Sequence, residues 1–192
     1  MTMNEHIDIC ISGPEQEVRK DTPLRLATFF FGNSGSLEQR SQSGMVRSLL
    51  FQILSQQANL TPIAFPEVWA ILYNKALYEQ QDLLKWHEPW SLRRLITAFK
   101  DVLAQSMVAI KLCLLIDGLD EFDGDHETLA DLFNEVACPS KINSSIKICL
   151  SSSIYRESFG HGPSPQLQSL TYRDIEKYVI DKFNENEPFQ AC

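Results

Sequence analysis

A chain of 192 residues, 44% of them hydrophobic and 22% charged, has the size and balance of one soluble globular domain with a substantial core. Its net charge of −8 excludes nonspecific binding to nucleic acid or an anionic membrane, because no basic excess is available to neutralise phosphates. The opening Met1-Thr2-Met3-Asn4-Glu5-His6 is too polar for a signal peptide and no apolar run reaches membrane-spanning length, so a cytoplasmic protein is expected.

Ile7, Ile9 and Ile11 alternate with Asp8 and Cys10, a strand signal that stops at Ser12-Gly13-Pro14. Glu15 to Pro23 is polar and reads as a loop. Leu26-Ala27-Thr28-Phe29-Phe30-Phe31 predicts a buried strand, closed by Gly32-Asn33-Ser34-Gly35. A loop rich in Ser, Gln and Gly runs through Ser43 into a helix with Val46, Leu49, Leu50, Ile53 and Leu54 on one face. Pro66 suits the first turn of a helix carrying Val68, Trp69 and Leu72. Ser91 is placed to cap the next helix, whose apolar stripe is Leu92, Leu95, Ile96, Phe99, Val102 and Leu103.

The run Leu112-Cys113-Leu114-Leu115-Ile116 then reads as a strand buried on both faces. It ends in three carboxylates within five residues, Asp117, Asp120 and Glu121. Asp117 falls at the strand's carboxyl end, where open α/β sheets place their ligands. Acidic groups there suit a hydrated magnesium ion and the water that attacks a phosphate, the Walker B arrangement of P-loop NTPases. The plainer alternative is a strand followed by an acidic, solvated loop. Asp125 or its neighbours lead into a helix with Leu129, Leu132, Phe133 and Val136 inward. Ile146 to Leu150 is another strand, stopping at Ser151-Ser152-Ser153. After the loop Gly160-His161-Gly162-Pro163-Ser164-Pro165, a short strand is expected at Leu167 to Leu170. Thr171 then caps a last helix burying Ile175, Val179 and Phe183. Strands alternating with helices predict an α/β fold, a mostly parallel sheet with helices on both faces.

The phosphate-binding half of such a site is missing. A working loop reads G-x-x-x-x-G-K-[ST], yet none of the nine lysines precedes Ser or Thr, and the next glycine after Gly13 is Gly32, so no glycine pair frames such a loop. Five cysteines without a C-x-x-C pair suggest neither zinc nor a disulfide framework, and the four histidines lack ligand spacing. Cys113 and Cys149 read as small buried hydrophobes in a reducing compartment. Asp123-Gly124-Asp125 fails as an EF-hand, because position one would be Leu119 and position twelve Ala130. Gly32-Asn33-Ser34-Gly35-Ser36 is not G-x-S-x-G. Trp69, Trp86 and Trp90 read as core and helix contacts, since no basic groove accompanies them for stacking bases.

In this order the segments resemble the fungal NACHT-type STAND NTPases, especially the nephrocystin-3-like N-terminal domain family. Phe29-Phe30-Phe31 resembles its aromatic strand, Ser43 to Leu54 its R-S-L-L helix, and Trp90-Ser91 its W-S-x-x-x-L segment. Ile116 to Asp125 is similar to its Walker B, Lys147 to Ser152 to its sensor strand, and Leu170 to Val179 to the helix after it. The resemblance runs over about residues 25 to 184. It implies a P-loop NTPase-like fold, incomplete at the N-terminus, and a signalling switch that uses Mg2+ with ATP or GTP. Asp117 would then hold magnesium through water, and Asp120 or Glu121 would orient the attacking water. It also implies that the Walker B strand lies between the aromatic and sensor strands, with the Walker A strand on the sensor strand's other side. Only Ile7 to Ile11 is available to fill that edge, its Ser12-Gly13-Pro14 ending resembling the start of a phosphate loop.

Two departures bear on activity. No Walker A loop is present, and Ser153 stands where the sensor arginine belongs, a role not carried over to Arg156. Three parts are expected: residues 1–22 as a tail or replacement strand, 23–186 as a partial NACHT-like domain, and 187–192 as a tail. Two readings follow. One is a signalling NTPase domain that does not hydrolyse nucleotide on its own. The other is a non-catalytic protein–protein interaction module or truncated gene product. Other protein domains, or a second copy, are the expected partners. Without metal the three carboxylates should repel one another, so removing Asp117 is expected to leave stability unchanged or raise it.

Overall fold

The computed structural model describes residues 7–12, 21–78, 90–137, 144–152 and 167–185. Gly13, Pro14, Trp86, Ser153, Arg156 and the loop at 160–165 lie outside the described residues. Strands β1 (Ile7–Ser12), β2 (Leu24–Phe30), β3 (Ile110–Asp117) and β4 (Ser144–Ser152) form one sheet in the order β1-β4-β3-β2. β2, β3 and β4 are parallel, and β1 runs antiparallel to β4. Parallel neighbours require long crossovers. Helices α1 (Gln42–Gln56), α2 (Thr61–Ala64), α3 (Pro66–Tyr78) and α4 (Leu92–Ala104) fill the first, and α5 (His126–Ala137) the second. The class is the expected one, α/β with a mostly parallel sheet flanked by helices.

The strand order also agrees with the one the resemblance implied. β3 lies between β2 and β4, and β1 occupies the outer edge of β4. Its direction is the reverse of that of its neighbour. Ile7 pairs with Ser152 and Ser12 with Lys147, so β1 runs away from the rim that carries Asp117. At about 3.3 Å per residue, the four steps from Lys147 to Ser151 put Ser12 roughly 13 Å short of Asp117's level.

Burial along β3 alternates. Ile110, Leu112, Leu114 and Ile116 are buried, whereas Lys111, Cys113, Leu115 and Asp117 are half-buried. Ala27 and Phe29 of β2 and Ile146, Ile148 and Leu150 of β4 lie in register with the buried set and complete the covered face. On the opposite face Leu26 and Phe30 are exposed, and Cys113, Leu115 and Cys149 are half-buried. The expectation of a strand buried equally on both faces is therefore corrected. Five consecutive apolar side chains conceal a period of two when the half-covered positions also carry Cys and Leu.

Helix α1 starts at a true cap, where Ser41 Oγ accepts from Gly44 N at 3.1 Å. It buries Met45, Val46, Leu49, Leu50 and Ile53. One flank of that face closes the outer edge of β2. Gln52 accepts from Thr28 N at 3.0 Å and donates to Thr28 O at 2.7 Å, and Gln56 donates to Leu26 O at 2.7 Å. Amide side chains thus satisfy strand groups that would otherwise recruit another chain. In α4, Ser91 caps Arg94 N at 3.4 Å, and Leu95, Phe99, Val102 and Leu103 are buried as expected, whereas Ile96 of the expected stripe is half-buried and Leu92 is exposed. In α5 the inward Leu129, Leu132, Phe133 and Val136 are all buried.

Two helices depart from expectation. Trp69 and Leu72 of α3 are exposed. Helix α6 (Leu167–Glu185) begins where a short strand was expected, so Thr171 lies inside it rather than at its cap. Leu167, Gln168 and Leu170 are good helix formers, which favours continuing the helix over a separate strand. Ile175 and Val179 are each 42% exposed, so the apolar spacing is present but is not spent on this core. The side chain of Phe183 lies outside the described residues.

Candidate functional site

The acidic segment sits at the carboxyl rim of the sheet because β3 ends there. Phe31 N donates to Asp117 O at 2.9 Å, carrying the β2–β3 pairing one residue past β2. Gly118 then turns the chain with φ +73°, and a Cβ at that position would stand 3.0 Å from Phe31 O. Glycine is suited to both the left-handed backbone and the close approach. A single 3-10 turn, Leu119–Glu121, follows, closed by Glu121 N donating to Gly118 O at 2.8 Å. Leu119 is buried in the core, and the Phe122 ring lies 5.3 Å from both Phe31 and His126. These apolar anchors hold Asp117, Asp120 and Glu121 half-buried on the rim.

The three carboxylates do not converge on a common point. Ser151 Oγ donates to Asp117 Oδ1, and Ser152 Oγ to Asp120 Oδ1 at 3.5 Å, both from the tip of β4. On the other side Asn33 N, in the loop after β2, donates to Glu121 Oε2 at 2.5 Å. Each carboxylate thus has a donor of its own. Downstream, Asp125 caps α5. Its carboxylate accepts from the Thr128 hydroxyl at 2.5 Å, from Glu127 N at 3.1 Å and from Thr128 N at 3.3 Å. The Thr128 hydroxyl bond, followed by the Glu127 amide, holds its pKa below the ordinary 3.8.

Among the described residues no three His, Cys, Asp or Glu side chains come together as a set able to hold a metal ion. Magnesium keeps several waters and takes one or two carboxylates plus substrate phosphates. Asp117 would be one such carboxylate. An apolar groove of about 390 Å³ lies elsewhere, between α1, α2 and α4, and none of the acidic residues lines it. Trp90 borders that groove, 5.0 Å from the Phe65 ring and under the Arg94 guanidinium at 5.5 Å, the helix contact expected of it.

The family model described as Nephrocystin 3, N-terminal, matches residues 10–153. The chain belongs to this family. The matched span covers most of the chain and runs from within β1 to the end of β4, so it contains the acidic turn and its serine and asparagine partners. No curated protein and no solved structure matches the chain. A nephrocystin 3 N-terminal domain is associated with NACHT-type NTPase proteins, in agreement with the resemblance read from motif spacing. Among the described residues no helix is long and apolar enough to cross a membrane.

Ser151, Ser152 and Asn33 are the residues of this nephrocystin 3 N-terminal domain that sequence reading passed over. The signal was present for the serines, since two hydroxyls end the strand expected next to β3. The more conspicuous departure is the missing arginine at the following position. Asn33 contributes a backbone amide, which no side-chain motif announces.

Proposed function

We propose that this chain is a partial NACHT-type signalling NTPase domain that keeps the acidic, Walker B-like rim but does not hydrolyse ATP or GTP. The observation that carries the reading is the direction of β1. Phosphoryl transfer depends almost wholly on positioning and charge stabilisation of the phosphates. A phosphate loop has to open at the carboxyl rim beside Asp117, whereas β1 runs away from that rim and ends with Ser12 in register with Lys147, four residues short of Ser151. The absence of any Lys followed by Ser or Thr supports the same reading. In this reading Asp117 retains the ancestral metal-facing position, and Asp120 and Glu121 the ancestral water-orienting positions. In this chain their carboxylates serve as acceptors for Ser151, Ser152 and Asn33.

The second reading, a non-catalytic protein-contact module, is favoured by one observation. Helix α6 displays Tyr172, Ile175, Tyr178, Val179 and Ile180 to solvent. Large apolar side chains exposed together on one helix are commonly interaction surfaces. Calorimetric titration of the purified chain with ATP and GTP, with and without Mg2+, separates the two. Magnesium-dependent binding without turnover supports a nucleotide-responsive switch, and no binding supports the contact module.

A further inference from the structure

The pairing of β1 with β4 sets Cys10 directly opposite Cys149. Directly opposed residues of antiparallel strands have Cα atoms about 4.5 or 5.5 Å apart, depending on the type of pair. Both spacings fall within the roughly 4.4–6.8 Å that a disulfide spans. Cys113 is not a competing partner. It stands in register with Lys147, two residues before Cys149. With strands about 4.8 Å apart and a rise of about 3.3 Å per residue, that diagonal is roughly 8 Å. A disulfide does not reach beyond about 7 Å without backbone movement. Cys149 is only half-buried, on the less covered face of the sheet, so a small reagent can approach it.

We propose that Cys10 and Cys149 form an intramolecular disulfide when the chain meets a small-molecule disulfide such as oxidised glutathione, and that this bond fastens β1 to the sheet. One cysteine, as thiolate, attacks a sulfur of RSSR, forming a mixed disulfide and releasing one RS⁻. The second cysteine, as thiolate, attacks the protein sulfur of that mixed disulfide and releases the other RS⁻. The two thiolates leaving as RSH take up the two cysteine protons, so two thiols are oxidised and one RSSR is reduced. The bond matters because, among the described residues, β1 is an edge strand paired with β4 alone. Reduced, β1 can detach and uncover an apolar strand edge that pairs readily with another chain. Oxidised, the edge stays covered. The inference rests on strand register alone and is independent of whether nucleotide binds.

Incubation with excess oxidised glutathione, alkylation of the remaining thiols and digestion without reduction tests it by mass spectrometry. The expected result is a linked Cys10–Cys149 peptide, an intact mass lower by about 2 Da and two thiols lost from the five. Cys113→Ser keeps the link, whereas Cys10→Ser and Cys149→Ser each abolish it. Amides of residues 7–12 and 144–152 exchange more slowly in the oxidised chain. Persistence of all five thiols, a glutathione adduct that never resolves, or a Cys113–Cys149 link overturns the proposal. Because mapping is done first on the unaltered chain, failure of a serine variant to fold leaves the decision intact.

Discussion

Ser151 donates its hydroxyl to Asp117, joining the tips of β4 and β3 at the rim of the sheet. Ser151 is buried and Asp117 half-buried, so the bond is only partly open to water. Deleting the acceptor leaves a buried hydroxyl unpaired, which costs about 1–3 kcal/mol. Asp117→Ala is therefore expected to destabilise the fold by that amount, the reverse of the outcome expected from carboxylate repulsion. Asp117→Asn keeps a carbonyl acceptor and should lose less. Urea denaturation of the two variants decides the order, and an alanine variant as stable as the parent would rule out the structural role.

The turn after β3 makes a sharper steric prediction. Gly118→Ala must adopt a left-handed backbone and crowd Phe31 O, so it should cost at least about 1–2 kcal/mol. Gly32, in the facing loop, has nothing within 4 Å of the position of an added Cβ. Gly32→Ala should stay within about 0.5 kcal/mol of the parent. Thermal melts of the pair would show the contrast, and equal melting temperatures would contradict it.

Within β3 the alternation of burial predicts unequal neighbours. Leu114 is fully buried, so Leu114→Ala should cost about 2–5 kcal/mol. Leu115, half-buried on the other face, should cost clearly less. Denaturation midpoints that place Leu115→Ala at or beyond Leu114→Ala would mean that the second face is covered as fully as the first.

Much of this architecture is legible in the residues, and the exceptions have physical causes. The stripes of α1, α4 and α5 read correctly because Val46 to Ile53, Leu95 to Leu103 and Leu129 to Val136 meet a core that demands helical spacing. The same spacing misleads at Ile175 and Val179, because a periodic pattern reports an apolar face and not what lies against it. β1 was legible as an edge strand from Ile7, Ile9 and Ile11, but alternation is blind to direction. Its antiparallel pairing, and with it the displacement of Ser12 from the acidic rim, emerges only from the register with Lys147 to Ser152. At the site, Asp117, Asp120 and Glu121 stood out by their spacing behind an apolar run, whereas their donors come from distant segments that no local motif joins to them.

The cap of α5 carries a pH signature. Asp125 has a lowered pKa in the folded chain, so its contribution to stability is complete above the ordinary value of 3.8 and disappears as pH falls through the lower folded value. Asp125→Asn keeps an oxygen for the cap but cannot titrate. Denaturation midpoints between about pH 2 and 5 should therefore fall less steeply for the variant than for the parent. Parallel curves would show that the cap does not distinguish the charged carboxylate.

Steady-state phosphate release from ATP and from GTP in Mg2+, compared between the parent chain and Asp117→Asn, tests the central claim most directly. With β1 running away from the acidic rim and the carboxylates engaged by Ser151, Ser152 and Asn33, both proteins should release phosphate at the rate of the protein-free control. Turnover above that control which disappears in Asp117→Asn would contradict the account, because it would require a phosphate-positioned, metal-assisted site centred on Asp117.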